Sequence, residues 1–404
     1  PLFDVAGLDV SGVRIHLVLD DRLNAFVAGG QRIFIHTGLL RNAESANAVI
    51  GVIAHETGHI AGGHLAKMHD NMRNASATSI IGLVLGAVAA AASGNPEALI
   101  AGATLGQTVG TRSFLMYTRE MESSADQAAL SYLEKTGQSA RGLLEILARL
   151  QDQNALAGGM QDPYALTHPL SRDRIATVRN HVVNSRFSGT PVDPNMAIWH
   201  RRMRGKLNGY VDPERSLREY SPTDRDIEAR YARLQAYARL HQTENALRIA
   251  DELVRESPED PFFHEIRGEI LWRAGRIRES LPPYRRAVEL YPQSALIRLG
   301  LAQSLLELEG GVPAREALEQ LKQAIHLEPW IPRAWRLQAT AYGRVEDMGG
   351  VAYALAEEAM LLGRRGEAAR HSARALDLLP PNSVRWNRAQ DIRNRLDNQP
   401  PAKG

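Results

Sequence analysis

Two histidines and a glutamate in one short stretch have the types and spacing needed to bind a metal ion and hydrolyse a bond. The stretch is His55-Glu56-Thr57-Gly58-His59. On a helix, side chains four positions apart share one face, so both imidazoles can reach one ion. Zinc accepts imidazole nitrogens, and the adjacent carboxylate could take a proton from a zinc-bound water. The pattern predicts His55 and His59 as ligands of one Zn2+ per chain and Glu56 as the catalytic base.

The same pattern also fits two ordinary histidines on a buried helix, so a third ligand must decide between the two interpretations. Glu122 and Asp126 lie four positions apart on a second predicted helix, and Ala129 and Leu133 continue their face toward the core. An inward-facing pair of carboxylates is costly unless it meets a cation or strong donors. We therefore predict Glu122 as the third ligand and Asp126 as the acceptor of a hydrogen bond from a ligand imidazole.

His64 is an alternative third ligand. In the longer motif where a third histidine follows the second, Gly62 is in place, but the position expected to hold histidine is Leu65. If the helix continues past His59, His64 faces elsewhere. If the helix breaks at Gly62-Gly63, His64 could turn toward the metal, so the sequence leaves this alternative open.

A further polar cluster, His168-Pro169 followed by Arg174, precedes a basic segment that is predicted to be helical. A histidine in a loop is most often simply solvated, but the proline after it restricts this loop. Either side chain could instead approach the open zinc position and stabilise the oxyanion of a tetrahedral intermediate. We therefore count His168 and Arg174 among the predicted catalytic residues.

The elements that must position these residues are a helix and a small sheet. The helix is predicted to begin near Glu44-Ser45 and to run through the motif to about Met68. Two β-type runs precede it, Val13–Leu19 and Gln31–His36, with Gly29-Gly30 as a turn. An exposed edge in the second run could add an extended peptide as a further strand. The predicted substrate-binding residues are therefore Gln31, Arg32, Ile33 and Phe34.

An apolar segment, residues 80–105, lies between the two ligand-bearing helices. Its length and flanks predict two short helices around a turn, which pack on the core or cover the site. The alternative interpretation is a peripheral membrane contact through the same residues. No run in the chain reaches the roughly 20 apolar residues of a membrane-spanning helix.

Composition excludes several classes of chemistry. The chain has 404 residues, no cysteine and a formal net charge of +2. The lack of cysteine excludes disulfides, thiolate zinc ligands and a cysteine nucleophile. A nearly balanced charge gives no reason to expect a nucleic-acid partner. The length predicts two to three domains.

From about Asp226 the chain shows paired helical segments with a period of about 34 residues, which is the tetratricopeptide spacing. Small residues recur where the paired helices would cross, and proline ends the second helix of a pair. One such pair cannot bury its apolar face alone, so the repeats are predicted to stack. The predicted parts are a degenerate first unit at Asp226–Ser257, units at Pro258–Pro292, from Ala295 and at Gly349–Asn382, and an unpaired helix at 332–348.

Together, these motifs resemble the M48 metallopeptidases. The residues that carry the resemblance are His55, Glu56, His59, Glu122, Asp126 and the segment from His168 to Ile175. The C-terminal repeats narrow the resemblance to the soluble, periplasmic branch of that family. The expected fold class is α+β (mainly α), with a gluzincin-type metallopeptidase domain and a small sheet before an all-α tetratricopeptide solenoid. The expected limits are 1–186 for the peptidase domain, 187–225 for a linker and connecting helix, 226–397 for the repeats and 398–404 for a disordered tail.

The resemblance also implies roles and partners. His168 would lie close to the metal, as a fourth ligand in a closed resting form, and residues 80–105 would cover the active site. The expected function is a zinc-dependent endopeptidase that cleaves misfolded or misassembled outer-membrane proteins in the periplasm, after removal of a signal peptide. The repeats would recognise these proteins or the outer-membrane assembly machinery. The alternative is a chaperone or adaptor for the same assembly, with a protease site that is mostly shut.

Overall fold

The computed structural model describes residues 1–67, 119–156, 168 and 170–398. The chain forms two compact units, Pro1–Asn208 and Gly209–Gly404. The apolar segment 80–105 and the predicted tail beyond Asn398 lie outside the described residues. Among the described helices, none has both the length and the apolar character needed to cross a membrane.

A three-stranded sheet lies near the start of the first unit. Its strands are β1 (Arg14–Val18), β2 (Ala25–Ala28) and β3 (Arg32–His36). Their order is β1-β3-β2, with β1 parallel and β2 antiparallel to β3. Both Gly29 and Gly30 have positive φ and form the turn between β2 and β3. The sequence predicted only β1 and β3, because the alternation within β2 is too short to be recognised.

β3 is the central strand, so the prediction of a peptide-binding edge at Gln31, Arg32, Ile33 and Phe34 is wrong. Every residue from Arg32 to His36 pairs with β1, and Arg32 to Ile35 also pair with β2. A strand that is paired on both sides uses its backbone polar groups within the sheet and cannot add a peptide. The free edges of the described sheet belong to β1 and β2 instead.

The main helix of the first unit is α3, which carries the histidine motif. Ser45 caps its start, because Ser45 Oγ accepts a hydrogen bond from the Ala48 N–H at 3.2 Å. It ends at Ala61 rather than near Met68, because Gly62 is its C-cap and Gly63 adopts a positive φ. The helices described in this unit are α1 (Leu2–Val5), α2 (Thr37–Asn42), α3 (Ala46–Ala61), α4 (119–135), α5 (Arg141–Leu156), α6 (Arg172–Asn184) and α7 (Pro194–Val211), which contains the unit boundary.

Two glycines let α3 lie very close to the helices beside it. A Cβ atom at Gly51 would lie 2.7 Å from Leu143 N in α5, and one at Gly58 would lie 2.8 Å from the Ala125 carbonyl oxygen in α4. Larger residues would force the helices apart. The close approach brings the histidines of α3 next to the carboxylates of α4.

The second unit is built from helices joined by short turns. A residue with positive φ lies in six of the described turns, at His241, Gly275, Gly310, Glu346, Gly363 and Asn382. This unit confirms the predicted fold class, a mainly α chain in which helical repeats follow a domain with a small sheet. The helices are α8 (Pro213–Glu219), α9 (Ile227–Arg239), α10 (Thr243–Glu256), α11 (Pro261–Arg273), α12 (Ile277–Leu290), α13 (Ala295–Leu306), α14 (Gly311–Leu327), α15 (Pro332–Arg344), α16 (Met348–Leu361), α17 (Arg365–Leu378) and α18 (Val384–Asn398).

The prediction of an unpaired helix at 332–348 is wrong. That stretch forms α15, which packs against both α14 and α16. Trp335 of α15 meets Tyr353 of α16 with ring centroids 5.7 Å apart. The turn between α15 and α16 has its positive φ at Glu346, whereas glycine marks the equivalent turns at Gly275 and Gly363. The missing glycine explains why the sequence did not reveal this turn.

Candidate metal centre

Four buried side chains from three separate parts of the chain converge in the first unit. His55 and His59 come from α3, Glu122 comes from α4, and His168 precedes α6. Each side chain offers one ligand atom, and these atoms lie within 4.8 Å of one another. Imidazole nitrogens and a carboxylate oxygen are ligands that zinc accepts in hydrolytic sites.

The atoms that face each other in this group are the potential ligand atoms themselves. His55 Nε2 lies 3.1 Å from His59 Nε2 and 3.4 Å from Glu122 Oε2. His59 Nε2 lies 3.2 Å from Glu122 Oε1. His168 Nδ1 lies 3.0 Å from Glu122 Oε1 and 3.4 Å from His55 Nε2. A cation at the centre would satisfy all four groups at once, which a buried polar cluster requires.

The outer ring nitrogens of the two α3 histidines have neighbours as well. His55 Nδ1 lies 2.9 Å from Asp126 Oδ1, off the line of an ideal N–H···O bond. His59 Nδ1 lies 3.1 Å from His64 Nδ1. A partner on the outer nitrogen fixes the tautomer whose inner nitrogen is free to bind a metal. The structure thus places Asp126 beside a histidine of the group and adds His64, whose position beside His59 the sequence did not indicate.

His64 is not one of the converging ligands. The helix does break at Gly62, which turns His64 back, but His64 then meets the outer nitrogen of His59 rather than the centre. A Cβ atom at Gly62 would overlap His64 Nε2, so only glycine leaves room for this ring. Burial lowers the pKa of His64 to about 4, and the neighbouring His59 acts in the same direction. The neutral ring can therefore accept the His59 N–H, and the alternative of His64 as a third ligand disagrees with this geometry.

Arg174 lies behind the group. Its Nε and Nη2 donate to the two carboxylate oxygens of Asp126 at 2.6 and 2.9 Å, and its Nη1 lies 2.8 Å from Glu122 Oε2. A two-pronged arginine contact of this kind holds a carboxylate in one orientation. The prediction that Arg174 stabilises an oxyanion is therefore wrong, because its guanidinium is directed at the carboxylates of α4.

The surrounding charges keep both α4 carboxyl groups ionised. Burial opposes ionisation of Glu122, but the facing imidazoles, above all His168, hold its pKa well below the usual range. Burial also opposes ionisation of Asp126, and Arg174 and His55 lower its pKa. Burial disfavours a charged His55, yet the two carboxylates outweigh it and raise the pKa of His55 to about 10. The field at the centre therefore favours positive charge.

Glu56 is fully buried beside this group. Neither of its carboxylate oxygens has a hydrogen-bond partner among the described residues, and His168 Nε2 lies 3.6 Å from its Oε1. A buried carboxylate without a partner is costly and needs a donor from a ligand or a water. Such a carboxylate beside converging metal ligands has the position of a catalytic base. The residues present therefore fit a zinc ion.

His168 also connects the group to the free edge of β2. Its Nε2 donates to the Ala25 carbonyl oxygen at 3.1 Å. In the β2–β3 ladder, the His36 N–H donates to the Asn24 carbonyl oxygen. Because residues alternate in direction along an antiparallel pair, Ala25 and Val27 point their backbone groups away from β3. The free edge of β2 therefore borders the metal group.

Comparison with known protein families shows that the two parts of the chain match two different families. Residues 2–182 match the family described as Peptidase family M48. Residues 231–295 and 267–311 match a tetratricopeptide repeat. The first match contains every residue of the converging group, and the second lies within the helical repeats.

Similar proteins carry protease names. The chain is 29% identical over 258 residues to a Vibrio cholerae protein named as a beta-barrel assembly-enhancing protease, a match that covers 61% of this chain and 51% of that protein. It is 26% identical over 360 residues to the beta-barrel assembly-enhancing protease of Escherichia coli (strain K12), with 87% and 72% covered. Metalloprotease YcaL of the same strain is 25% identical over 183 residues, with 45% and 67% covered. The chain spans about half the length of the Vibrio protein. Residues 2–182 thus form a domain of peptidase family M48, and tetratricopeptide repeats follow that domain.

Proposed function

We propose that the protein is a zinc-dependent endopeptidase. The observation that carries the proposal is the convergence of His55, His59, Glu122 and His168 beside Glu56, whose buried carboxylate accepts no hydrogen bond from the described residues. His55, His59 and Glu122 would hold one zinc ion, since two histidines and a glutamate form a common hydrolytic ligand set. When bound, zinc would polarise the scissile carbonyl and lower the pKa of a water molecule.

Glu56 is the residue proposed to move protons. Its carboxylate would take a proton from the attacking water and later give it to the leaving amine. Its two oxygens accept no hydrogen bond from the described residues, so the carboxylate is available for both transfers. Asp126 and Arg174 would hold the ligand side chains in place without touching the substrate, because both lie on the outer side of the group.

The peptide substrate is proposed to add as a strand to the free edge of β2. Ala25 and Val27 direct their backbone groups to that edge. Strand addition relies on main-chain hydrogen bonds and therefore accepts many sequences. In this proposal His168 occupies the fourth ligand position at rest and also binds the Ala25 carbonyl. His168 must then leave both places before a peptide can be cleaved.

The names of the relatives suggest the cellular process in which this reaction takes place. The Vibrio cholerae and Escherichia coli relatives are both named for β-barrel assembly. We extend that setting to this chain and propose that it acts in the periplasm on misfolded or misassembled outer-membrane proteins. The repeats would recognise these clients or the assembly machinery, since stacked helix pairs create extended surfaces for binding proteins.

The decisive test replaces Glu56 by glutamine. Glu56→Gln keeps the shape of the side chain but removes the base, so we expect cleavage of casein to fall by about a thousandfold while zinc stays bound. Mass spectrometry of the metal content and a casein assay measure the two properties. Glu120→Gln is the matched control, because Glu120 is exposed on α4. Unchanged cleavage by Glu56→Gln would refute the proposed reaction.

A second candidate function is a chaperone or adaptor for outer-membrane assembly. The specific observation in its favour is His168, whose Nδ1 already takes a place within the metal group. A site held in that state would leave protein binding by the repeats as the main activity. Expression of Glu56→Gln in a strain lacking the protein separates the two functions. Full rescue supports the chaperone role, and no rescue supports the protease.

A further inference from the structure

A cavity within the second unit has no role in the proposed reaction. It lies between α14 and α15 and has a volume of about 650 Å³. Cavities of this size commonly accept a small ligand or a few residues of a peptide. Its walls combine aromatic rings, one buried amide and several charged side chains, and these groups indicate the chemistry of an occupant.

The inner wall of the cavity is aromatic. Trp335 and Tyr353 meet edge to face, and Tyr342 of α15 adds a third ring. Leu318 of α14 also lines the cavity. The indole N–H of Trp335 already donates to the Pro329 carbonyl at 2.8 Å, so it needs no partner from a ligand. This wall suits a bulky apolar side chain, since aromatic faces and edges pack well against such groups.

Gln338 is the unsatisfied group of the cavity. It lines the cavity between Trp335 and Tyr342 along one face of α15 and is 4% exposed. Its Oε1 has no hydrogen-bond partner among the described residues. A buried amide oxygen without a donor is costly, so it marks a place where a ligand N–H is missing. The backbone N–H of a peptide supplies such a donor.

Among the charged side chains that line the cavity, two pairs neutralise each other and one arginine has no acidic partner among the described residues. Lys322 Nζ pairs with Glu319 at 2.7 Å, and Arg385 Nη1 pairs with Asp347 at 2.6 Å. Arg315 is exposed, lines the cavity and has no carboxylate partner among the described residues. A carboxylate on the occupant would pair with it.

We propose that this cavity binds an extended segment of a partner protein that carries a bulky apolar side chain next to an acidic one. The apolar side chain lies against Trp335 and Tyr353, a backbone N–H donates to Gln338 Oε1, and the carboxylate pairs with Arg315. The inference builds on the proposed role of the repeats in protein recognition and names the chemistry that they select. It requires no cleavage, because every residue involved belongs to the second unit.

The test is a titration of the full chain with two synthetic peptides. One is the capped hexapeptide Gly-Ser-Leu-Asp-Ser-Gly, and the other has Asn in place of Asp. Calorimetry should show saturable binding of the first with a Kd below about 1 mM and binding of the second weakened about fivefold. Gln338→Leu should weaken the first peptide about tenfold, because its N–H loses its acceptor. Arg315→Gln should make the two peptides bind equally.

Matched controls separate the cavity from the rest of the protein. Gln323→Leu and Arg278→Gln change exposed residues outside the cavity and should bind like the unchanged chain. The Glu56→Gln chain should also bind the first peptide normally. A negative casein assay would therefore not contradict this inference, and a negative titration would not contradict the proposed protease. Absence of saturable binding, or equal losses in the control variants, would overturn the inference. Self-association that Gln338→Leu abolishes would identify a second copy as the occupant and overturn it as well.

Discussion

At the scale of single residues, the outer ring nitrogens of the two α3 histidines contact different kinds of group. The carboxylate of Asp126, itself bound by Arg174, lies next to Nδ1 of His55, whereas the neutral ring of His64 lies next to Nδ1 of His59. A carboxylate makes an imidazole more basic than a neutral acceptor does. We therefore expect His55 to be the stronger ligand of the two and His59 to depend on His64 for its orientation.

Replacement of His64 tests this dependence. We expect His64→Ala to weaken zinc affinity by roughly 10- to 100-fold, because His59 loses the acceptor that fixes its tautomer. A competition titration with a fluorescent chelator measures the affinity. His64→Gln can still accept the His59 N–H and should keep more of the affinity. Equal losses in both variants would show that the volume of the ring, and not its hydrogen bond, matters.

His168 is the residue whose role the geometry changes most. We expect His168→Ala to raise kcat/KM for casein by roughly tenfold, as for a site that is closed about nine-tenths of the time. The physical reason is that its Nδ1 takes a ligand position while its Nε2 covers the Ala25 carbonyl. His326→Ala changes an exposed histidine of the repeats and is the control. A lower rate in His168→Ala would assign His168 to catalysis instead of closure.

At the scale of elements, the order of the sheet decides where a peptide can pair. β3 is paired on both sides, while β1 and β2 each keep a free edge among the described strands. His168 contacts the edge of β2, so that edge, and not the edge of β1, borders the metal group. Both free edges could pair with a peptide through their backbone groups, but only a peptide on the β2 edge would lie beside the metal site.

Proline substitutions on the two edges test this assignment. Val27→Pro removes an N–H that points away from β3, and we expect kcat/KM to fall roughly tenfold with zinc still bound. Leu17→Pro is the matched control. The Arg14 N–H donates to the carbonyl oxygen of Gln31, the residue before β3, so the alternation along β1 turns the Leu17 N–H outward on the other edge. Peptidase assays and metal analysis of both variants measure the effect. Equal loss in Leu17→Pro would show damage to the sheet rather than loss of a substrate contact.

At the scale of the whole molecule, the two compact units have separate cores. The metal group lies in the first unit, and the large apolar cluster that includes Tyr284, Leu321 and Tyr342 lies in the second. A bound ion stabilises only the part of a protein whose folded state forms the site. Metal removal should therefore affect the two units differently.

Calorimetry with and without EDTA tests this difference. An ion present at about 100 times its Kd adds about 2.7 kcal/mol to the folded state, so its removal should lower the Tm of the first unit by roughly 5–10 °C. The transition of the second unit should not move, since none of the candidate ligands belongs to it. Equal shifts of both transitions would contradict the separation, and no shift at all would contradict metal binding.

The sequence by itself determined the local parts of this protein. Spacing of four residues on one helix puts His55 and His59 on one face, and the same rule pairs Glu122 with Asp126, because helix geometry is set by neighbours in the chain. The repeat period likewise indicated stacked helices. It did not reveal the pairing of α15 with α16, because the turn between them has Glu346 in place of glycine.

Only the tertiary structure decided what lies around those side chains. His168 is 113 residues from His55 and 143 from Ala25, and Arg174 is 48 from Asp126. Contacts over such separations depend on how helices pack and which strand is central, which no local pattern encodes. For that physical reason, only the tertiary structure shows that Arg174 contacts the carboxylates of Glu122 and Asp126, that β2 rather than β3 has a free edge among the described strands, and that His64 lies beside His59.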